Sequence, residues 1–173
     1  MQHELENHHQ SLDGSSAVEK IRVIVQHARY CLFGTALGQP PVTVRPMTVQ
    51  SVDDAGVLWF LSGRGTHTNQ HIARDPLVQL FFANADKQEF MTLDGTATIH
   101  TDRATREAHW TPFAKTWFNQ GIDDPELTVL RFQPAAGYYW DTKHGKTVSL
   151  LKTTAGMLIG KTLDDSLEGA VRP

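Results

Sequence analysis

With 173 residues, 40% of them hydrophobic and 20% charged, the chain has the length and composition of one soluble globular domain with a substantial core. A formal net charge of -3 without a basic block argues against nucleic acid as a partner, and no apolar run approaches the length needed to span a bilayer. The single cysteine, Cys31, rules out an internal disulfide or a cysteine-built metal cluster.

Met1 to Gly14 is polar and acidic and carries His3, His8 and His9 but no apolar stretch, which predicts a flexible tail rather than a signal or transit peptide. The cytoplasm is the expected compartment. Ser16-Ala17-Val18-Glu19 has the pattern of a capping box, and Val18, Ile21, Val25 and Ala28 share one face of a helix predicted from about Ser16 to Ala28. Tyr30 to Leu37 reads as a strand, with Cys31 a buried small hydrophobe, and Gly38-Gln39-Pro40 returns the chain into the next strand as a hairpin.

Val42 to Gln50 alternates, Val57 to Leu61 is β-branched and aromatic, and Asp53-Asp54-Ala55-Gly56 between them is turn chemistry, so the pair is expected to form a hairpin. The chain then changes character at Ser62-Gly63-Arg64-Gly65-Thr66-His67-Thr68, and Asn69 to Arg74 continues as a short helix that Asp75-Pro76 stops. The first N–H groups of a helix lack intrahelical partners, and its dipole puts partial positive charge there, so this corner suits an anion. Thr66 is the expected cap, with Ser62, His67 and Thr68 as further donors. Arg45, on a neighbouring strand, offers a planar fork that matches phosphate oxygens. The same residues also fit an ordinary capped turn beside a solvated arginine.

Leu77 to Ala83 is predicted to be a buried strand. Phe90 to Thr101 sets Met91, Leu93, Ala97 and Ile99 against Thr92, Asp94, Thr96, Thr98 and His100, a strand with one core face, interrupted by a bulge at Gly95. Asp102 caps a short helix over Arg103 to His109, and Pro112 opens a second helical piece carrying Phe113, Trp117 and Phe118. With Trp110 these aromatics read as core or dimer packing. Leu127 to Gln133 and Gly137 to Asp141 are expected as two last strands. A helix spaced by Val148, Leu151, Ala155 and Leu158 follows the break at Gly145 and stops at Gly160, and the residues from Lys161 onward look loosely held. The sum is a mainly β protein with peripheral helices, most economically an antiparallel meander curled into a small barrel.

Arg45-Pro46-Met47, Trp59-Phe60-Leu61-Ser62, Thr66-His67-Thr68, Ile72 to Pro76, Asp94-Gly95-Thr96-Ala97 and Tyr139-Trp140-Asp141 occur in an order that resembles the FMN-binding split-barrel proteins related to pyridoxamine 5′-phosphate oxidase, of the general-stress-protein type. The resemblance runs from about Ser16 to Gly160. It implies a split β-barrel, a Greek-key-like antiparallel barrel over residues 15–160 between tails at 1–14 and 161–173. It also implies a homodimer with FMN at the subunit interface and a small-molecule electron donor or acceptor. Carried over, Val44, Arg45, Pro46 and Met47 run along the flavin, Phe60, Leu61 and Ser62 touch it partly through backbone, Thr66, His67 and Thr68 hold the phosphate, and Trp140 approaches the site.

The resemblance has departures. The family usually has a lysine where Thr68 stands, and the oxidase an arginine near His67, so the corner faces a phosphate of about −1.5 to −2 charges with fewer fixed cations. Weaker, more pH-dependent FMN binding is expected, with His67 contributing when protonated. Phe90 replaces a glutamine of the oxidase, and its basic C-terminal motif has no match, so pyridoxamine-phosphate oxidation is not expected.

No residue stands out as a general acid, base or nucleophile, which leaves a flavin-dependent oxidoreductase and a flavin-binding stress protein without fast turnover both open. The alternatives are a metal site on His67 and His71, four residues apart but lacking the glutamate of a metalloprotease motif, and haem ligation by His100, His109 or His144.

Overall fold

Alternating burial along the strands of one sheet positions everything else. The computed structural model describes residues 8–142 and 166–173. In chain order the elements are β1 (Leu12–Asp13), α1 (Ser15–Ala28), β2 (Tyr30–Thr35), β3 (Thr43–Thr48), β4 (Ser51–Val52), β5 (Leu58–Gly63), α2 (His67–Arg74), β6 (Leu77–Asn84), β7 (Glu89–His100), α3 (Arg103–His109), β8 (Leu127–Thr142) and β9 (Ser166–Arg172), with 3-10 turns at Pro112–Thr116 and Gly121–Asp123. The hydrogen-bonded order is β1-β9-β8-β7-β6-β2-β3, and β5 adds to the free edge of β8 and carries β4 on its other side. Only the β1–β9 pair is parallel among the described strands. β3 and β5 approach without pairing, so the curled sheet stays split along that line.

The predicted alternation of β7 is present: Met91, Leu93 and Ala97 are buried while Thr96 and Thr98 are exposed. Facing them, Phe33, Phe60, Leu80, Leu130 and Phe132 fill the core together with Ile21 and Ile24 of α1. Phe33 and Phe60 meet edge to face, with ring centroids 5.2 Å apart and an 86° interplanar angle, an arrangement the ring quadrupoles favour. Cys31 packs in this core as expected, and burial pushes its thiol pKa up to about 12. Among the described residues, no helix is long and apolar enough to cross a membrane.

Four expectations need correction. The cap of α1 is Gly14, at φ 55 and without a side-chain hydrogen bond, not a Ser16–Glu19 box; Glu19 is instead held by Arg22 at 3.0 Å. The hairpin about Asp53 pairs β5 with the two-residue β4, not with the strand that contains Arg45, which pairs along its length with β2 and leaves its other edge free. Leu127 to Thr142 is one strand, since the register shift opposite Asp94 and Gly95 takes up Ala135 as an extra residue beside Pro134 and lets the ladder continue. A Cβ at Gly95 would collide with the Gln133 carbonyl, so only glycine fits there. Finally, the described parts of both expected tails are tied into the sheet: β9 pairs with β8, β1 pairs with β9, and the Tyr139 hydroxyl donates to the Gln10 carbonyl at 2.8 Å. The helix expected over 148–159 lies outside the described residues.

Candidate functional site

The end of β5 and the start of α2 form a corner whose geometry follows from Thr66. Its hydroxyl accepts from the Asn69 N–H at 3.3 Å, which caps α2 as the sequence predicts, and donates to the Gly63 carbonyl at 2.8 Å. The Ser62 hydroxyl lies 3.3 Å from the Thr66 hydroxyl. The first-turn N–H groups of His67 and Thr68 have no intrahelical partner by the geometry of a helix start. Behind the corner, the Asn69 amide donates to the Thr128 hydroxyl and that hydroxyl to the Ser62 carbonyl, a buried chain fastening α2 to β5 and β8.

In front of the corner is a cavity of about 450 Å³. Pro46, Met47 and Thr48 of β3 form one side and Leu61, Ser62 and Thr66 another. Phe113, Ala114, Trp117 and Phe118 close it from the 3-10 segment, with Gln50, Thr111 and Glu126 at its margins. That segment has its own small core of Ala114, Phe118 and Leu127, with Leu61 and Trp110 packed against it. Core packing therefore holds for Phe118 and, in part, for Trp110. Phe113 and Trp117, 64% and 63% exposed, instead stand against each other edge to face at 5.0 Å on the cavity wall. The cavity wall is largely apolar and aromatic with a small number of polar side chains, the composition of a small-molecule site.

The residues expected at the site divide. Pro46, Met47, Leu61, Ser62 and Thr66 line the cavity together. Phe60 is fully buried in the core and Thr68 is buried within α2, and neither lines the cavity. Arg45 shares a face of β3 with Met47, since both pair with inward-facing residues of β2, but it sits exposed at the split edge without a hydrogen-bond partner among the described residues. Val44 and Trp140 lie on the opposite, outer face of the sheet, where Phe90 pairs with Trp140. His67 is exposed, and its ring stacks on His71 at 6.2 Å and 20°, while Thr35 holds His71 Nδ1 at 2.9 Å.

Two features were missed. The aromatic wall was visible as a cluster, but nothing local says that two of its members face a cavity. Glu126 reaches the corner from the residue before β8, and its carboxylate accepts from the Gly65 N–H at 3.3 Å.

α3 comes directly before the wall segment in the chain. Asp102 caps α3 by accepting from the Thr105 N–H at 2.9 Å, which holds its carboxyl below the usual carboxylate range. His109, at the other end, stacks on Trp59 at 4.1 Å and 15° and lies 3.2 Å from the Ser51 hydroxyl. Burial holds its imidazole below the ordinary histidine range, with Asp53 opposing and His100 adding to the shift. His144 lies outside the described residues.

A family profile described as pyridoxamine 5′-phosphate oxidase like matches residues 16–164. The protein bli-3 of Neurospora crassa is 23% identical over 126 residues, which make up 68% of this chain; the chain spans 60% of the length of that curated relative. A crystal structure named as a general stress protein 26, from Jannaschia sp. CCS1, superposes with a TM-score of 0.76 at 28% identity, over 90% of this chain and 97% of the other. The general stress FMN/FAD binding protein of Xanthomonas citri shares the fold, with a TM-score of 0.63 at 23% identity over 72% of this chain and 87% of its own.

Proposed function

The chain belongs to the pyridoxamine 5′-phosphate oxidase-like family, and from that premise we propose that it binds a flavin, FMN, in the cavity between β3, the end of β5 and the aromatic wall. The observation that carries this is the joining of an apolar, aromatic-sided cavity of about 450 Å³ to a hydroxyl-lined corner at the start of α2. Met47, Leu61 and Phe118 suit a flat heteroaromatic ring, and Trp117 stands ready to cover it. The Ser62 hydroxyl and the first N–H groups of α2, which Thr66 caps, suit phosphate oxygens, and Arg45 of β3 is the proposed cation.

A bound flavin supplies electron transfer to or from a small molecule. The chain's own part in the proposed reaction is to bind and orient: the corner fixes one end of the ligand, and the wall keeps water from the other. Glu126 is the one ionisable side chain among the described residues of the cavity lining, so no proton-transfer step is assigned to the chain.

A homodimer is part of the proposal. Strand register puts Leu32, Val44, Phe90 and Trp140 on one outer sheet face, and they are 47%, 45%, 41% and 40% exposed. An apolar patch of that kind marks an association surface. The neighbour from Xanthomonas citri, named for FMN/FAD binding, is consistent with the flavin reading.

The test is an ultraviolet-visible and fluorescence titration of the purified protein with FMN, then anaerobic addition of NADH or NADPH. A shifted flavin spectrum with quenched fluorescence is expected, and bleaching by the nicotinamide would identify an oxidoreductase; a bound flavin that stays oxidised would identify a carrier. An unchanged flavin spectrum at saturating protein would overturn the proposal.

A further inference from the structure

The corner that suits a phosphate already contains an anion of the protein's own. Glu126 precedes β8, and its carbonyl accepts from the Arg64 N–H at 2.8 Å, which fixes the strand start against the β5–α2 loop. From there its carboxylate turns into the loop and accepts from the Gly65 N–H at 3.3 Å. Gly65 is one residue before the cap of α2, so the carboxylate stands beside the start of that helix, and Glu126 itself lines the cavity.

The surrounding arginines direct their donors to other acceptors. The Arg64 side chain donates to the Pro125 carbonyl at 3.0 Å, Arg103 pairs with Glu107 and Asp123, and Arg106 donates to the Ile122 and Asp124 carbonyls. Asp124, a second carboxylate two residues away, accepts from the Glu126 and Gln120 N–H groups. Among the described residues Glu126 makes no ion pair.

We propose that Glu126 is a specificity-determining residue for the tail of the flavin: its carboxylate, beside the start of α2, lowers the preference for phosphorylated over unphosphorylated flavin. The proposal rests on the flavin reading of the cavity. Two like charges a few ångströms apart at a protein surface repel enough to change an affinity by about tenfold at low salt, whereas the uncharged ribityl end of riboflavin feels no such repulsion.

The experiment compares FMN and riboflavin by fluorescence-quenching titration at low ionic strength in the wild type, Glu126→Gln and Glu126→Asp. Glu126→Gln is expected to bind FMN about tenfold more tightly and riboflavin within about twofold of the wild type, and Glu126→Asp, which keeps the charge, to resemble the wild type. Equal FMN affinity in the wild type and Glu126→Gln, with both flavins still bound, overturns the inference and leaves the flavin reading standing. An equal gain for riboflavin overturns it as well, because the effect is then steric. If neither flavin binds any of the three proteins, the flavin reading falls and takes the inference with it.

Discussion

Asn69 in the first turn of α2 donates its side-chain amide to the Thr128 hydroxyl at 2.8 Å, and both residues are buried, at 4% and 1% exposure. The Thr128 hydroxyl in turn donates a hydrogen bond to the Ser62 carbonyl at 2.7 Å, so the corner's position depends on a side chain of β8. Thr128→Val keeps the shape but leaves the Asn69 amide without its acceptor, a loss of about 1–3 kcal/mol in unfolding free energy. Urea denaturation should show that loss, and flavin affinity should fall with it as the start of α2 loosens. A variant as stable as the wild type would mean that a water replaces the hydroxyl.

Trp117 makes a second test, because it is large, exposed and on the cavity wall rather than in the core. Trp117→Ala should weaken flavin binding by about tenfold, the equivalent of about 1.4 kcal/mol, with little change in unfolding midpoint. Fluorescence titration beside thermal unfolding separates the two effects. A large stability loss with unchanged affinity would return Trp117 to a packing role.

The outer sheet face gives a prediction about mass. Leu32 stands beside Pro46 on β3 and Phe81 on β6 in an apolar row. Leu32→Glu places a charge there at little cost to a monomer, since the side chain is 47% exposed, but it would leave the charge desolvated in a dimer. Light scattering should show the wild type as a dimer and the variant shifted toward monomer. A variant that remains dimeric would move the interface to another surface.

His109 predicts a pH dependence. Burial lowers its imidazole pKa in the fold, so between that lowered value and about 6.5, the unfolded value, the unfolded chain binds more protons. Stability therefore rises with pH in that window and is lost as pH falls through it. Asp53 opposes this shift, and Trp59, Ser51 and His100 complete the surroundings of the ring. His109→Phe keeps the stack on Trp59 and removes the proton. Its unfolding midpoint should fall less steeply than the wild type's as the pH is lowered from neutral; parallel curves would assign the acid sensitivity to other groups.

Where structure is set by near neighbours, the chain could be read directly. The two-residue alternation of β7 and the Thr66 cap involve partners a few positions away, and both are present. Pro134 looks like a strand break because the missing N–H is a local fact, while the extra residue Ala135 and the glycine opposite it at Gly95 are supplied by another strand. Ser166–Arg172 has no clean alternation, and its place in the sheet comes from β8 and from Leu12–Asp13 at the other end of the chain. The same distinction runs through the site. Ser62 and Thr66 announce themselves as a capped turn, but whether Phe113 faces core or cavity, and that Glu126 reaches Gly65 across 61 positions, are decided only by the folded sheet.

β8 keeps β7 as its neighbour from Val129 to Trp140, while its other edge passes from β5 at Leu127–Phe132 to β9 at Gly137–Thr142. A single ribbon of backbone thus joins the strand nearest the C-terminus to the floor beneath Ser62. Val171 of β9 and Ser62 of β5 are held against the same edge of β8, opposite Gly137 and Thr128.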